Sequence, residues 1–262
     1  MPTPPITSPP PWPPLPGLAG RTALVTGGSR GPGAATCRAL AASGARVAVN
    51  GRDRAALDAV VAAIRAEGGD AHAFPADVTE PLGDLRAAVA ERYGSVDVLC
   101  PFAGGQGRPE PSAALGLDRW REVLETDLTS VFATVTAFLP DMVERGAGSV
   151  VLMSSAAARQ PGGANAAYAA AKAGVVMLGK HLARELGPAG IRVNCLAPSA
   201  VENERLRAAL DERQRAGLAA AFPLGRLGRD EDVAQAALWL ASDAASWVTG
   251  VTLDLSGGRV IV

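Results

Sequence analysis

Between residues 20 and 262, short runs rich in β-branched and other apolar residues alternate with longer alanine-rich stretches of helical length. This alternation constrains the fold more than any other feature of the chain. Strand-like runs lie at 22–27, 45–51, 70–78, 96–100, 148–155, 191–198 and 251–255. Helical stretches lie at 33–44, 54–69, 80–93, about 117–145, 165–187, near 202–220 and 230–242. Strands and helices that take turns predict parallel βαβ units. The strand runs are apolar, as expected where helices cover both faces of a sheet. Right-handed crossovers then give an α/β, doubly wound parallel sheet. No linker or change of composition divides the region, and the 48% hydrophobic content is enough for one sizeable core, so a single domain over 18–262 is expected.

Residues 1–17 stand apart. Nine of the first sixteen are proline, which fixes φ and removes a donor, so neither a helix nor an interior strand is expected there. A disordered or polyproline-type tail is predicted, with Trp12 the natural contact for any proline-recognising partner. The segment lacks the apolar centre of a signal peptide. No apolar run of about 18 residues occurs, so no membrane association is expected. A net charge of −1 supplies no field to gather nucleic acid. Cys37, Cys100 and Cys195 are scattered among apolar residues without a CxxC pair, which predicts buried reduced thiols and a cytoplasmic setting. His72 and His181 are isolated, and no metal site is expected.

The first strand runs into the turn TGGSRGPG, where Gly27, Gly31 and Gly33 stand as G-x-x-x-G-x-G before a helix. Glycines there allow a tight turn and a close approach of backbone to a pyrophosphate, and the helix start adds free N–H groups. Gly27, Ser29, Arg30, Gly31 and Gly33 are therefore candidate cofactor contacts. An NAD site of this kind commonly has an acid at the end of the second strand, for the ribose 2′-hydroxyl. Here that end reads VAVNGRDR, with Asn50 in the acid's place and Arg52 just beyond it. Arg30 and Arg52 could together hold a 2′-phosphate by charge-assisted hydrogen bonds, so NADP (as NADPH) is favoured over NAD.

The chain has two tyrosines and two lysines, and Tyr168 stands four residues before Lys172 in the run YAAAK. Residues four apart on a helix share a face. An ammonium beside the phenol is expected to favour tyrosinate and to lower the phenol's pKa from its ordinary ~10. A tyrosine tuned in this way can exchange a proton with a carbonyl or hydroxyl oxygen. Ser155 is expected at the carboxyl end of the fifth strand, where ligands of open α/β sheets gather, either as a hydrogen-bond donor to that oxygen or as a local cap.

The glycine turn, Ser155 thirteen residues before Tyr168, and Tyr168-x-x-x-Lys172 together resemble the short-chain dehydrogenase/reductase family, and within it the 3-oxoacyl-carrier-protein reductase type. Further stretches agree: DVT at 77–79, FAGG at 102–105, IRVNCLAPS at 191–199 and VTGVTLDLSGG near the C-terminus, so the likeness covers about residues 18–258. The resemblance implies a Rossmann-like sheet of about seven strands and a homotetramer or homodimer. It implies a small-molecule carbonyl or alcohol substrate, with Tyr168 as general acid/base, Lys172 also holding the nicotinamide ribose, and Ser155 orienting the substrate. It places Asp77 and Val78 at the adenine, Ala103 and Gly104 after the fourth strand beside the cofactor, and Pro198 and Val201 at the nicotinamide.

The chain departs from the family pattern at named positions. Pro101-Phe102 replaces an asparagine pair, Asp127 replaces an asparagine of the catalytic set, and Pro32 stands between Gly31 and Gly33. Ser199 replaces a common glycine, and Asn203 stands where a threonine is usual. Asp127 is expected to hold a water near Lys172, partly through its backbone carbonyl. The departures leave two alternatives beside reduction of a ketone: use of the bound cofactor for an isomerase, dehydratase or cyclase reaction, or a non-catalytic dinucleotide-binding protein. Segments 104–116 and 199–222 are expected to line the substrate pocket.

Overall fold

The computed structural model describes residues 15–202, 206 and 210–261. The proline-rich stretch 1–14, Asn203 and part of the helical stretch expected near 202–220 lie outside the described residues. Seven strands pair in parallel: β1 (Thr22–Thr26), β2 (Arg46–Gly51), β3 (Asp70–Pro75), β4 (Val98–Pro101), β5 (Gly148–Met153), β6 (Ile191–Pro198) and β7 (Thr252–Leu255). Their order is β3-β2-β1-β4-β5-β6-β7, so the winding reverses between β1 and β4. A crevice opens outside the carboxyl ends of these two strands, and ligands of such sheets bind there.

Among the described residues the α-helices are α1 (Gly31–Ala42), α2 (Arg54–Ala66), α3 (Gly83–Tyr93), α4 (Leu117–Leu124), α5 (Ser130–Arg145), α6 (Ala166–Leu186), α7 (Glu212–Ala219) and α8 (Asp230–Ala241). One core cluster packs α1 and α8 against one face of the sheet, and a second packs α3, α5 and α6 against the other. In α2 the buried side chains are Leu57, Val61 and Ile64, one helix turn apart, which is how an amphipathic helix covers a sheet. Along α6 the small buried residues Ala167, Ala171, Gly179 and Ala183 let the helix lie close to β6; a Cβ at Gly179 would sit 2.5 Å from the Cys195 sulfur. Ala171 of the YAAAK run belongs to this packed row, whereas Ala170 faces solvent.

Several boundaries differ from the sequence expectation, each for a local reason. β3 stops at Pro75 rather than 78, because the Asp77 carboxylate accepts from the Thr79 amide at 3.0 Å and the Thr79 hydroxyl at 2.8 Å, turning the chain. The helix expected over 117–145 is interrupted by a π-helical turn at Glu125–Thr129. The hydroxyls of Thr126, Ser130 and Thr134 each donate to the carbonyl four residues earlier, and such back-bonding competes with the helical ladder. Residues 15–17 are ordered: Leu15 packs on the core, and the Asp243 amide donates to the Pro16 carbonyl at 3.1 Å. Among the described residues no helix is long and apolar enough to cross a membrane.

Candidate active site

At the β1 turn the crevice wall is backbone. Gly27 and Gly31 have φ of +65° and +54°, which side-chain-bearing residues rarely adopt. A Cβ at Gly27 would meet the Ala103 amide nitrogen at 2.9 Å, and one at Gly33 would collide with the Gly27 carbonyl. Ala103 is fixed there by its amide donating to the Thr26 hydroxyl at 3.1 Å. α1 starts with no side-chain cap and no acidic residue in its first turn, and Pro32 occupies a position where no N–H is needed. The remaining free N–H groups and the helix dipole, in a cradle too narrow for side chains, fit the pyrophosphate of a dinucleotide.

Two arginines stand beside this cradle. Arg30 is 67% exposed and lies 3.5 Å from Asp53; Arg52 is 77% exposed and lies 3.5 Å from Asp77. These long, solvated pairs leave both guanidiniums available to a stronger anion. Asn50 is turned away from the crevice: its amide donates to the carbonyls of Phe74 at 2.9 Å and Ala76 at 3.3 Å, tying β2 to β3. The Thr79 amide bonded to Asp77 holds that carboxyl below its usual range, with the Arg52 charge adding to the effect. Val78 beside it is buried.

On the other side of the crevice, Asp127, Lys172, Tyr168 and Ser155 come together. The π-turn directs Asp127 inward, where it is wholly buried. One carboxylate oxygen accepts from the Gly105 amide at 2.7 Å and lies 3.2 Å from Lys172 Nζ; the other accepts from the Gln106 amide at 3.2 Å. Lys172 is also buried, and its ammonium donates to the Met153 carbonyl at 3.1 Å. The Lys172 Nζ is 5.6 Å from the centre of the Tyr168 ring. Asp127 thus engages Lys172 directly through its side chain.

The electrostatics also reverse an expectation. The phenol of Tyr168 is pushed up to about 12, by burial first and by the Asp127 charge second, while a hydrogen bond from Ser155 opposes the rise. Burial lowers Lys172, and Asp127 resists that lowering by charge and by hydrogen bond. Tyr168 is therefore not drawn below its ordinary value, because burial disfavours the phenolate and the Asp127 carboxylate adds to that effect.

Ser155 is not part of β5, which ends two residues earlier at Met153. It caps a short 3₁₀ turn (Ala156–Ala158), accepting from the Ala157 amide at 3.2 Å. The neighbouring Ser154 donates to the Lys172 carbonyl at 2.8 Å and ties this turn to α6. On the far wall, Pro198 pairs with Leu255, and Val201 bridges to Gly228.

Sequence reasoning missed a strap at residues 104–108 and the residue that fastens it. Gly104 and Gly105 have φ of +135° and +106°, so the strap's path depends on them. Asn165 caps α6 by accepting from the Tyr168 amide at 2.8 Å, and its side-chain amide donates to the carbonyls of Gln106 at 2.8 Å and Arg108 at 2.9 Å. Arg119 of α4 adds a bond to the Gln106 side chain at 3.1 Å. The strap lies against the ring of Tyr168, where a Cβ at Gly107 would stand 2.9 Å from a ring carbon. An asparagine directly before an alanine-rich helix was the available signal, since asparagine is a favoured cap; its second set of bonds had none.

Residues 27–259 match a family model described as enoyl-(acyl carrier protein) reductase. The 3-oxoacyl-[acyl-carrier-protein] reductase of Escherichia coli (strain K12) is 36% identical over 93% of this chain and 98% of its own length. The 3beta-hydroxysteroid dehydrogenase 1 of Eggerthella lenta is 40% identical over 93% of this chain and 95% of its own. A solved structure of a 3-oxoacyl-[acyl-carrier protein] reductase from Brucella melitensis with bound NAD superposes with a TM-score of 0.86 at 32% identity, covering 93% of this chain and 92% of that one.

Proposed function

The chain belongs to the short-chain dehydrogenase/reductase family, and on that basis we propose that it is an NADPH-dependent reductase of a ketone, with Tyr168 as the proton donor. One observation carries this reading: Ser155, Tyr168 and Lys172 meet at the carboxyl end of the sheet, across the switch-point crevice from an uncapped, glycine-lined helix start.

NADPH, when bound, supplies the hydride for the carbonyl carbon. The chain's own residues do the rest. The Ser155 hydroxyl hydrogen-bonds the carbonyl oxygen and fixes its position. Tyr168 hands its phenolic proton to that oxygen as the alcohol forms, and Lys172 steadies the charge left on the phenolate. The backbone of Gly27, Ser29, Gly31 and Gly33 holds the pyrophosphate, and Arg30 and Arg52 hold the 2′-phosphate by charge-assisted bonds. Asp77 and Val78 receive the adenine, Ala103 and Gly104 lie beside the cofactor, and Pro198 and Val201 receive the nicotinamide.

The two named relatives are a 3-oxoacyl reductase and a 3beta-hydroxysteroid dehydrogenase, and acyl chains and steroids both carry their oxygen on an apolar body. Half-buried Phe102, Met153 and Val201 supply apolar surface in this chain. A panel of β-ketoacyl thioesters and cyclic ketones, followed by loss of dihydronicotinamide absorbance, tests the reading. Stoichiometric NADPH consumption that disappears in Tyr168→Phe supports it. Conversion of substrate without net NADPH consumption would favour an isomerase or dehydratase instead. Binding of NADPH with no conversion across the panel would favour a non-catalytic protein. A homotetramer or homodimer in the cytoplasm is the assembly and setting we propose, to be measured by light scattering.

A further inference from the structure

A carboxylate with no exposed surface next to a proton-transfer tyrosine calls for an explanation beyond family membership. Asp127 lies at the one π-helical turn among the described residues, so its inward placement has a structural device behind it. Its two oxygens have three polar partners from two directions. Gly105 and Gln106 amides approach from the strap at 2.7 and 3.2 Å, and Lys172 Nζ approaches from α6 at 3.2 Å. An asparagine side chain could supply only one accepting atom to this arrangement, and would bring no charge to meet the ammonium. The carboxylate serves both strap amides and the lysine at once.

The polar and charged groups facing the Tyr168 phenol come from three elements. Asp127 faces it from the π-turn, Lys172 from α6, and Ser155 from the turn after β5. The strap contributes the backbone of Gly107 against the ring. Arg159, at the end of the Ser155 turn, is engaged by Asp254 at 3.0 Å. The lysine charge and the carboxylate charge therefore oppose each other at this phenol, with no third ion facing it among the described residues.

We propose that Asp127 is a positioning residue that ties the 104–106 strap to Lys172 and holds Tyr168 as the neutral phenol, setting this site to protonate a carbonyl rather than to deprotonate an alcohol near neutral pH. In the forward step the phenol O–H breaks, the proton goes to the carbonyl oxygen, and NADPH provides the hydride to the carbon. The reverse step needs tyrosinate as base. A phenol raised to about 12 keeps that form scarce at neutral pH, so alcohol oxidation rises with pH while reduction holds level. The inference rests on the reading of Tyr168 as the proton-transfer group, but its test does not depend on turnover.

The chain's two tyrosines make that test direct. The full-length protein is labelled with tyrosine carrying ¹³C at Cζ, its two signals are assigned with Tyr93→Phe, and the Tyr168 signal is followed with rising pH. In the unsubstituted chain Tyr168 is expected to ionise above the ordinary ~10; ionisation at or below that value overturns the proposal. In Asp127→Asn, with Lys172 no longer offset, ionisation is expected to fall by about one pH unit or more; an unchanged midpoint overturns it. Amide hydrogen exchange gives the second arm. Gly105 and Gln106 are expected to lose protection in Asp127→Ala, and equal protection in both proteins overturns the tie to the strap. If the phenol shifts as expected while Tyr168→Phe still reduces ketones, the proposed function fails and this electrostatic arrangement stands.

Discussion

The two walls of the crevice hold charge in different ways. At the β1 turn, recognition rests on backbone: Gly27, Gly31 and Gly33 leave room for a ligand, and the nearby Arg30 and Arg52 remain mostly in water, each 3.5 Å from a carboxylate. Across the crevice, Asp127 and Lys172 are both buried and 3.2 Å apart, with further hydrogen bonds to three backbone groups. Exposed pairs of the first kind contribute little on their own and exchange partners readily. A buried pair is costly to break, because removing one member strands the other without solvent. The first wall is suited to receive an incoming anion. The second is suited to keep one electrostatic state fixed around Tyr168.

The largest expected effect falls on the buried wall. Tyr168→Phe should lower ketone reduction by about a thousandfold, the scale of a lost general acid, while NADPH binding measured by fluorescence titration stays within about twofold. If turnover survives, the buried wall is not the proton source. Next comes the backbone wall. Gly33→Ala forces a Cβ onto the Gly27 carbonyl, so the turn must move, and a stability loss of about 1–3 kcal/mol in urea unfolding is expected along with weakened binding of both NADPH and NADH.

A smaller and more selective effect is expected at the exposed arginines. Arg30→Gln combined with Arg52→Gln should weaken NADPH binding by about tenfold to a hundredfold and leave NADH nearly unchanged, since only NADPH carries the 2′-phosphate. Equal losses for the two cofactors would remove the basis for NADP preference. The smallest effect separates the two kinds of ion pair most sharply. Asp53→Asn removes the Arg30 partner but keeps an acceptor for the Ala56 amide at the start of α2, so unfolding free energy should change by less than about 0.5 kcal/mol.

Much of this site was legible in the residue order. The glycine turn was readable because a positive φ and a tight approach leave few residue types possible, and the Tyr168–Lys172 relation followed from helical spacing. The parallel sheet of a single domain followed from alternating apolar elements, since parallel strands buried on both faces leave that pattern. The interruption at Glu125–Thr129 was not legible, although Thr126, Ser130 and Thr134 carried part of its cause, because hydroxyl back-bonding bends a helix only where packing favours the result.

Residue order alone supplies the chemical groups of the crevice. It provides a phenol and an ammonium four residues apart, a serine upstream, a glycine-lined helix start and two arginines beside it. Those properties are local, fixed by backbone geometry within a few residues. How the groups act on one another is a matter of folding in three dimensions. The fold brings Asp127, remote in sequence from Lys172, to 3.2 Å from the ammonium in a buried setting, and lays the 104–108 strap against the tyrosine. The sign of the tyrosine's shift depends on burial, on the Asp127 charge and on the opposing Ser155 hydrogen bond, and all three are set by distances that residue order does not contain.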